Sequence, residues 1–282
     1  MTFQQYLAAK RTVDDRALNR RVLARFRREL PDSVRLLEVG AGTGAMVERL
    51  HLWGCLPREV HYTVLDIDPE NLEIARERLL ARGFDSRGDE LRLERGDRRS
   101  TIVFEVADAV EFARATDRKW DAIVGHAVAD LLDLDSAIPA LLSALEPDGI
   151  CYFPITFDGG TTFDPVHPLD GRVERLYHRH MDDEGGCNRA GRRLLAGLRA
   201  RDATVLAAGS SDWLVYPRAG SYPADEQVFL RHIIGIIESA LADHPALETE
   251  AFAEWSATRR RQVEKAELTY VAHQLDVLAR RA

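Results

Sequence analysis

From residue 34 onward the chain alternates short β-rich runs with helical ones, and this alternation limits the fold more than any other feature. "VRLLEV" reads as a strand and the segment from Gly44 to about Leu52 as a helix. "VHYTVLDID" is a second strand, followed by the helix "PENLEIARERLLARG", with Pro69 in its first turn and Gly83 closing it. A polar, glycine-containing stretch, "FDSRGDELRLERGDRRS", leads to strand "TIVFEVAD" and helix "AVEFARAT". Strand "WDAIVGHA", helix "DSAIPALLSALEP" and strand "GICYFPITF" complete the run. Strands separated by helices of this length predict an α/β fold, a mostly parallel sheet covered on both faces.

Such a sheet binds ligands at the carboxyl ends of its strands, near the switch point. That crevice would contain the loop after Val39, the end of the second strand at Asp66 and the end of the third at Asp108. The stretch "LLEVGAGTGA" opens it and satisfies two fingerprints. Gly40, Gly42 and Ala45 fit the dinucleotide pattern G-x-G-x-x-A, whereas Glu38, Gly40, Gly42 and Gly44 fit the acidic-x-G-x-G-x-G pattern of proteins that bind S-adenosylmethionine. Asp66 does not separate the two, since an acid at that distance suits a ribose diol in both. Glu38 does. A carboxylate two residues before Gly40 would repel a pyrophosphate at short range but attract an ammonium or a sulfonium.

In order and spacing, "LLEVGAGTG", "YTVLDIDPENLEIA", "VADAVEF", "WDAIVGHAVADLL" and "LEPDGICYF" resemble the successive motifs of class I S-adenosylmethionine-dependent methyltransferases, of the small-molecule type. The resemblance covers about residues 34–155 and extends to a hairpin-like stretch near 204–216. It implies a Rossmann-like, seven-stranded, mostly parallel sheet whose last strand is antiparallel, and S-adenosyl-L-methionine as cofactor. By motif position it implies that Glu38, Gly40, Ala41, Gly42 and Gly44 line the methionine part of the cofactor. Asp66 would hold the ribose hydroxyls, Ile67 would pack on adenine, and Asp108 with Ala109 would meet its amine.

An oxygen or nitrogen acceptor must lose a proton, so a general base beside the methyl group is useful. The loop after the fourth strand supplies His126, the candidate catalytic residue, with a side chain whose ordinary pKa suits the task. Helix capping or packing is the plainer role for it. Tyr6 and Lys10, four apart on one helix face, together with His167 and Trp213, are candidates for the acceptor pocket. No metal site is expected: His178 and His180 are two apart on a helix and point to different faces.

Residues 1–30 read as a helical lid carrying a run of arginines, 31–217 as the cofactor-binding core, and 218–282 as a C-terminal helical extension packed on it. Two apolar stripes in that extension, Val228 to Leu241 and Leu268, Val271, Leu275 and Leu278, would suit a homodimer as well as intrachain packing. A formal net charge of −8 argues against a nucleic-acid partner. No apolar window approaches the length of a membrane span and the polar start lacks a signal-like apolar run, so a cytoplasmic enzyme is expected. The expectation is therefore methyl transfer to a small molecule, at oxygen or nitrogen rather than carbon. An NAD(P)-linked oxidoreductase and a non-catalytic cofactor-binding scaffold are the alternatives.

Overall fold

The computed structural model describes residues 2–201 and 203–282. Its centre is a parallel array of β1 (Ser33–Val39), β2 (Glu59–Asp66), β5 (Arg98–Val106), β6 (Trp120–Val124) and β7 (Leu145–Asp164), in the order β5-β2-β1-β6-β7. The order in which strands are added switches sides at β1, leaving a crevice at the carboxyl ends of β1 and β6 where ligands bind in such sheets. Beyond β7, β10 (Thr269–Arg281) runs antiparallel to both β7 and β8 (Ala203–Ser210). The α/β class, the mostly parallel sheet and the antiparallel strand near its edge are as expected.

Among the described residues the sheet has ten strands rather than seven. The stretch read as a polar loop forms a hairpin, β3 (Asp85–Arg87) and β4 (Glu90–Arg95), on the outer edge of β5. The stretch near 204–216 is not a hairpin. Its two halves, β8 and β9 (Trp213–Val215), both pair with β10 and not with each other.

The final segment corrects a second expectation. Leu268, Val271, Leu275 and Leu278 have helix-like spacing, yet residues 269–281 are a strand within the sheet. Burial alternates from Tyr270 through Ala272 and Gln274 to Asp276, and then runs unbroken from Val277 to Ala279 where neighbours cover both sides. The boundary drawn at residue 217 therefore does not hold. The helical extension contains only α10 (Glu226–Leu241) and α11 (Thr249–Glu264), and the chain then returns to the core sheet. Within the apolar stripe of α10, Phe229, Ile233, Ile237 and Leu241 are buried within the chain, whereas Val228, Ile236 and Ala240 are half-buried.

One face of the sheet packs on α3 (Arg20–Glu29), α4 (Ala45–Leu52) and α5 (Pro69–Ala81). The other packs on α6 (Ala109–Ala115), α7 (Leu134–Ala144) and α9 (Ala190–Arg199). A third apolar cluster joins α1 (Phe3–Ala9), α2 (Arg11–Ala17), α8 (Asp170–Asp183), α10 and α11. It forms around a ribbon made by the outer half of β7 and the first half of β10, which extends past the pairing with β6. Among the described residues, the N-terminal segment forms three helices rather than one. Asn19 accepts the N–H groups of Arg21 and Val22 (both 3.2 Å) and so starts α3 afresh. All three cysteines are buried free thiols. Among the described residues no helix is long and apolar enough to cross a membrane.

Candidate active site

The glycine-rich turn joins β1 to α4 and needs glycine for two separate reasons. Gly40 (φ +60°) and Gly44 (φ +72°) are left-handed, a conformation that costs other residues energy. Space is also short: a Cβ at Gly40 would overlap Val128 in the loop after β6, and one at Gly44 would lie 2.8 Å from the Ala75 methyl of α5. Ala41 is fixed by donating its N–H to the Leu65 carbonyl at 3.0 Å. Leu7 of α1 covers Gly42, so the N-terminal helices lie directly on the turn.

Two acids sit beneath this loop. Glu38 is 1% exposed; Tyr62 on the neighbouring strand donates a 2.7 Å hydrogen bond to its Oε2, and Oε1 has no partner. Burial pushes the Glu38 carboxyl up to about 8, against the pull of the Tyr62 hydrogen bond and of Arg49. Asp66 is also buried. Its Oδ2 accepts the Gly42 N–H at 2.6 Å, and its Oδ1 accepts from the Asp68 amide (3.0 Å) and from Asn71 (3.1 Å). The carboxylate expected to meet a ribose is thus already committed to shaping the turn.

Farther along the crevice, Ile67 (69% exposed) and Val106 (59% exposed) end their strands with apolar side chains in the open, where a flat heterocycle would cover them. Asp108 caps α6 through Oδ1, which accepts the N–H groups of Val110 and Glu111 at 2.9 Å, leaving Oδ2 for an exocyclic amine. Ala109, the first residue of α6, is buried behind it. These features fit S-adenosylmethionine: a glycine turn for close approach, an orphaned acidic oxygen for an ammonium, and exposed apolar side chains for a purine.

His126 does not face open space. It is buried, with Nε2 3.3 Å from Arg49 Nη1 and 3.4 Å from Asp14 Oδ2. Burial, then the Arg49 and Lys10 charges, hold its pKa well below the usual histidine range, so the imidazole is neutral. It belongs to a polar knot under the lid. Asp14 (0% exposed) accepts the Trp213 Nε1–H at 2.9 Å and lies 3.6 Å from both Lys10 and Arg49. Asp15 pairs with Arg49, and Glu48 on α4 takes Arg11 at 2.8 Å. Much of the basic first segment is therefore ion-paired rather than aimed at a ligand.

Tyr6 and Lys10 share a face as their spacing required, with Lys10 Nζ 5.9 Å from the Tyr6 ring and 5.6 Å from the Trp213 ring. Tyr6 also stacks on His232 (centroids 4.4 Å apart) and Phe229 (5.9 Å). His167 lies elsewhere: its Nδ1 accepts the Leu169 amide at 3.2 Å and its own amide donates to Asp170, at the start of α8. A cavity of about 220 Å³ lies between α4, α5 and β4 and includes His51, Arg82, Phe84 and Arg98, but none of the expected site residues. Sequence reasoning missed Asp14 and Arg49, which the fold brings 3.6 Å apart beneath the lid; nothing in their spacing marks them as partners.

Residues 37–151 match the family model described as a methyltransferase domain. No curated protein matches the chain in sequence. Among solved structures, the chain is similar to a SAM-dependent methyltransferase from Thiobacillus denitrificans in complex with S-adenosyl-L-homocysteine. That match is 17% identical, covers 94% of this chain and 93% of the other, and has a TM-score of 0.48. It is also similar to geranyl diphosphate C-methyltransferase from Streptomyces coelicolor A3(2), in complex with Mg2+, geranyl diphosphate and S-adenosyl-L-homocysteine. Here identity is 11%, coverage 92% and 77%, and the TM-score 0.47.

Proposed function

We propose, from the premise that residues 37–151 match a methyltransferase domain, that this protein transfers a methyl group from S-adenosyl-L-methionine to a small molecule, at nitrogen or oxygen rather than carbon. The observation that carries the reading is the pair of acids under the glycine turn. The Gly42 N–H, which a dinucleotide phosphate would need, is taken by Asp66 Oδ2 at 2.6 Å, with the Glu38 carboxyl buried nearby. A diphosphate would meet an occupied donor there, whereas an ammonium meets an acidic oxygen that has no partner.

Bound at this turn, S-adenosylmethionine supplies a methyl carbon already activated by a sulfonium. The chain then has to align a nucleophile with it, and such positioning can contribute roughly 7–11 kcal/mol. Glu38 and the glycine turn would hold the amino-acid end, and Ile67, Val106 and Asp108 the adenine end. His126 enters as the residue that ties the lid to the loop after β6, because its Nε2 is occupied by Arg49. Tyr6, Lys10 and Trp213 would close the acceptor side. An acceptor other than nucleic acid accords with the formal charge of −8.

Calorimetric titration of the purified chain with S-adenosylhomocysteine and, separately, with NADH tests the assignment. Saturable binding of the first and none of the second is expected. The reverse result would overturn it.

A further inference from the structure

The cavity of about 220 Å³ between α4, α5 and β4 shares no lining residue with the cofactor crevice. Its walls are apolar: Leu56, Leu79 and Phe84 are buried and Leu93 is half-buried. Leu52, the last residue of α4, also lines it and is 52% exposed, which puts it at the mouth. At about 30 Å³ per water the space equals roughly seven waters. That suits a short chain or a single ring and falls below the usual size of a cofactor pocket.

Most polar groups around the cavity are already satisfied. Glu48 is the one acid in the lining, and its carboxylate is taken by Arg11 and Arg78, both at 2.8 Å, and by Arg82 at 2.5 Å. His51 stands edge-on to Phe84, with centroids 5.2 Å apart. Its Nδ1 donates to the Val47 carbonyl at 2.8 Å, which leaves Nε2 to accept from the Ser100 hydroxyl at 3.1 Å. Arg95 and Arg98 are the exceptions. Their guanidinium groups donate to main-chain carbonyls, of Arg82 at 3.1 Å and of Leu56 at 3.4 Å, and among the described residues neither has a carboxylate partner. The two are directly opposite one another in the antiparallel ladder of β4 and β5, followed on the same face by the pair Leu93 and Ser100. Like charges so placed destabilise a sheet until a counter-charge arrives.

We propose that this cavity is a second ligand site and that it takes a small monocarboxylate, whose apolar chain or ring fills the space while its carboxylate meets Arg95 and Arg98. A guanidinium matches a carboxylate through two parallel N–H bonds, and the cross-strand pair offers two such groups side by side. A neutral apolar molecule would leave the two arginines without a counter-charge. A small polar anion would leave the surface of Leu56, Phe84 and Leu93 uncovered, and burying that surface is what favours an apolar body. The site lies outside the cofactor crevice, so it stands or falls independently of the methyl-transfer reading.

The test titrates the full chain with octanoate, with the neutral octan-1-ol and with acetate, following affinity by calorimetry and location by amide chemical shifts. Octanoate is expected to saturate one site and to bind at least tenfold more tightly than either octan-1-ol or acetate, with shift changes centred on residues 51–56, 82–84 and 93–100. Replacing both exposed arginines, Arg95→Gln with Arg98→Gln, should abolish the preference for octanoate over the alcohol. The same double variant should melt no lower than the parent chain, because it removes a like-charge pair. Leu52→Glu, at the exposed mouth, should weaken octanoate severalfold and octan-1-ol little, and it serves if the double variant does not fold. No saturable octanoate binding, equal affinity for octanoate and octan-1-ol, a preference that survives these variants, or shift changes centred on the glycine turn would each overturn the site.

Discussion

The Tyr62 hydroxyl donates a 2.7 Å hydrogen bond to Glu38 across two adjacent parallel strands, and this bond fixes one oxygen of a carboxyl that burial has pushed up to about 8. At pH 7 the free protein therefore holds Glu38 mostly protonated. A ligand ammonium placed against Oε1 favours the charged form and draws the proton off. S-Adenosylhomocysteine binding at pH 7 should then release close to one proton per site. Calorimetry in buffers of different ionisation enthalpy counts it, and Glu38→Gln should bring the count to zero. A wild-type count of zero would separate Glu38 from the ligand.

The same shift has a consequence for stability. The folded pKa lies above the ordinary value of 4.5, so this group's contribution is fully present below that value and is lost as pH rises through about 8. Glu38→Gln should flatten the decline in urea midpoint between these limits, measured without ligand. An unchanged slope would mean the carboxyl is better solvated than its burial suggests.

Gly40 and Val128 provide a steric test of the turn. A methyl at Gly40 would overlap Val128 Cγ2, and φ +60° adds a backbone cost of about 1 kcal/mol. Gly40→Ala should weaken S-adenosylhomocysteine binding by tenfold or more. Val128→Ala in the same chain should recover part of the loss, because it removes the overlap but not the backbone cost. No recovery would place the damage in the backbone alone.

How far the site could be read in advance depends on how local its determinants are. Glu38, the glycines, Ile67 and Asp108 belong to short strand–turn–helix units, where neighbours in sequence are neighbours in space, and their placement follows from the alternation itself. Asp66 was located at the right strand end, but its bond to Gly42 crosses from β2 to the turn after β1 and has no mark in the sequence. The group around Tyr6, Trp213, Phe229 and Tyr270 draws on segments from both ends of the chain and exists only once β10 is in the sheet. That strand was hidden because its apolar residues happen to recur at helical spacing, and periodicity cannot distinguish a strand buried on both sides from a helix.

Removal of residues 269–282 separates the two architectures for the C-terminal segment. A helix packed on the outside could be deleted at modest cost, whereas β10 lies between β7 and β8 and its loss exposes both edges. The truncated chain should be insoluble or should lack a cooperative thermal transition by circular dichroism. A soluble, cooperatively melting product would contradict the observed sheet order.

Asp14 is the centre of the lid's attachment and the place where its stability can be measured. Its carboxylate accepts from Trp213 and faces Lys10, Arg49 and His126, all within 3.6 Å, and it is fully buried. Asp14→Asn can keep a hydrogen bond to Trp213 but leaves Lys10 without its counter-charge and Arg49 with Asp15 alone. Removing one member of a buried ionic group typically costs about 3–5 kcal/mol, because the partners remain buried. Trp213→Phe, which removes only one donor, should cost about 1 kcal/mol plus a packing loss. Urea denaturation ranks the two variants. Limited proteolysis within the first 18 residues shows where the loss falls: cleavage should accelerate in Asp14→Asn under conditions where the core stays folded. If both variants lose the same small amount and the lid remains resistant, the ionic contacts are not what holds it closed, and the apolar contact of Leu7 with the glycine turn becomes the better candidate.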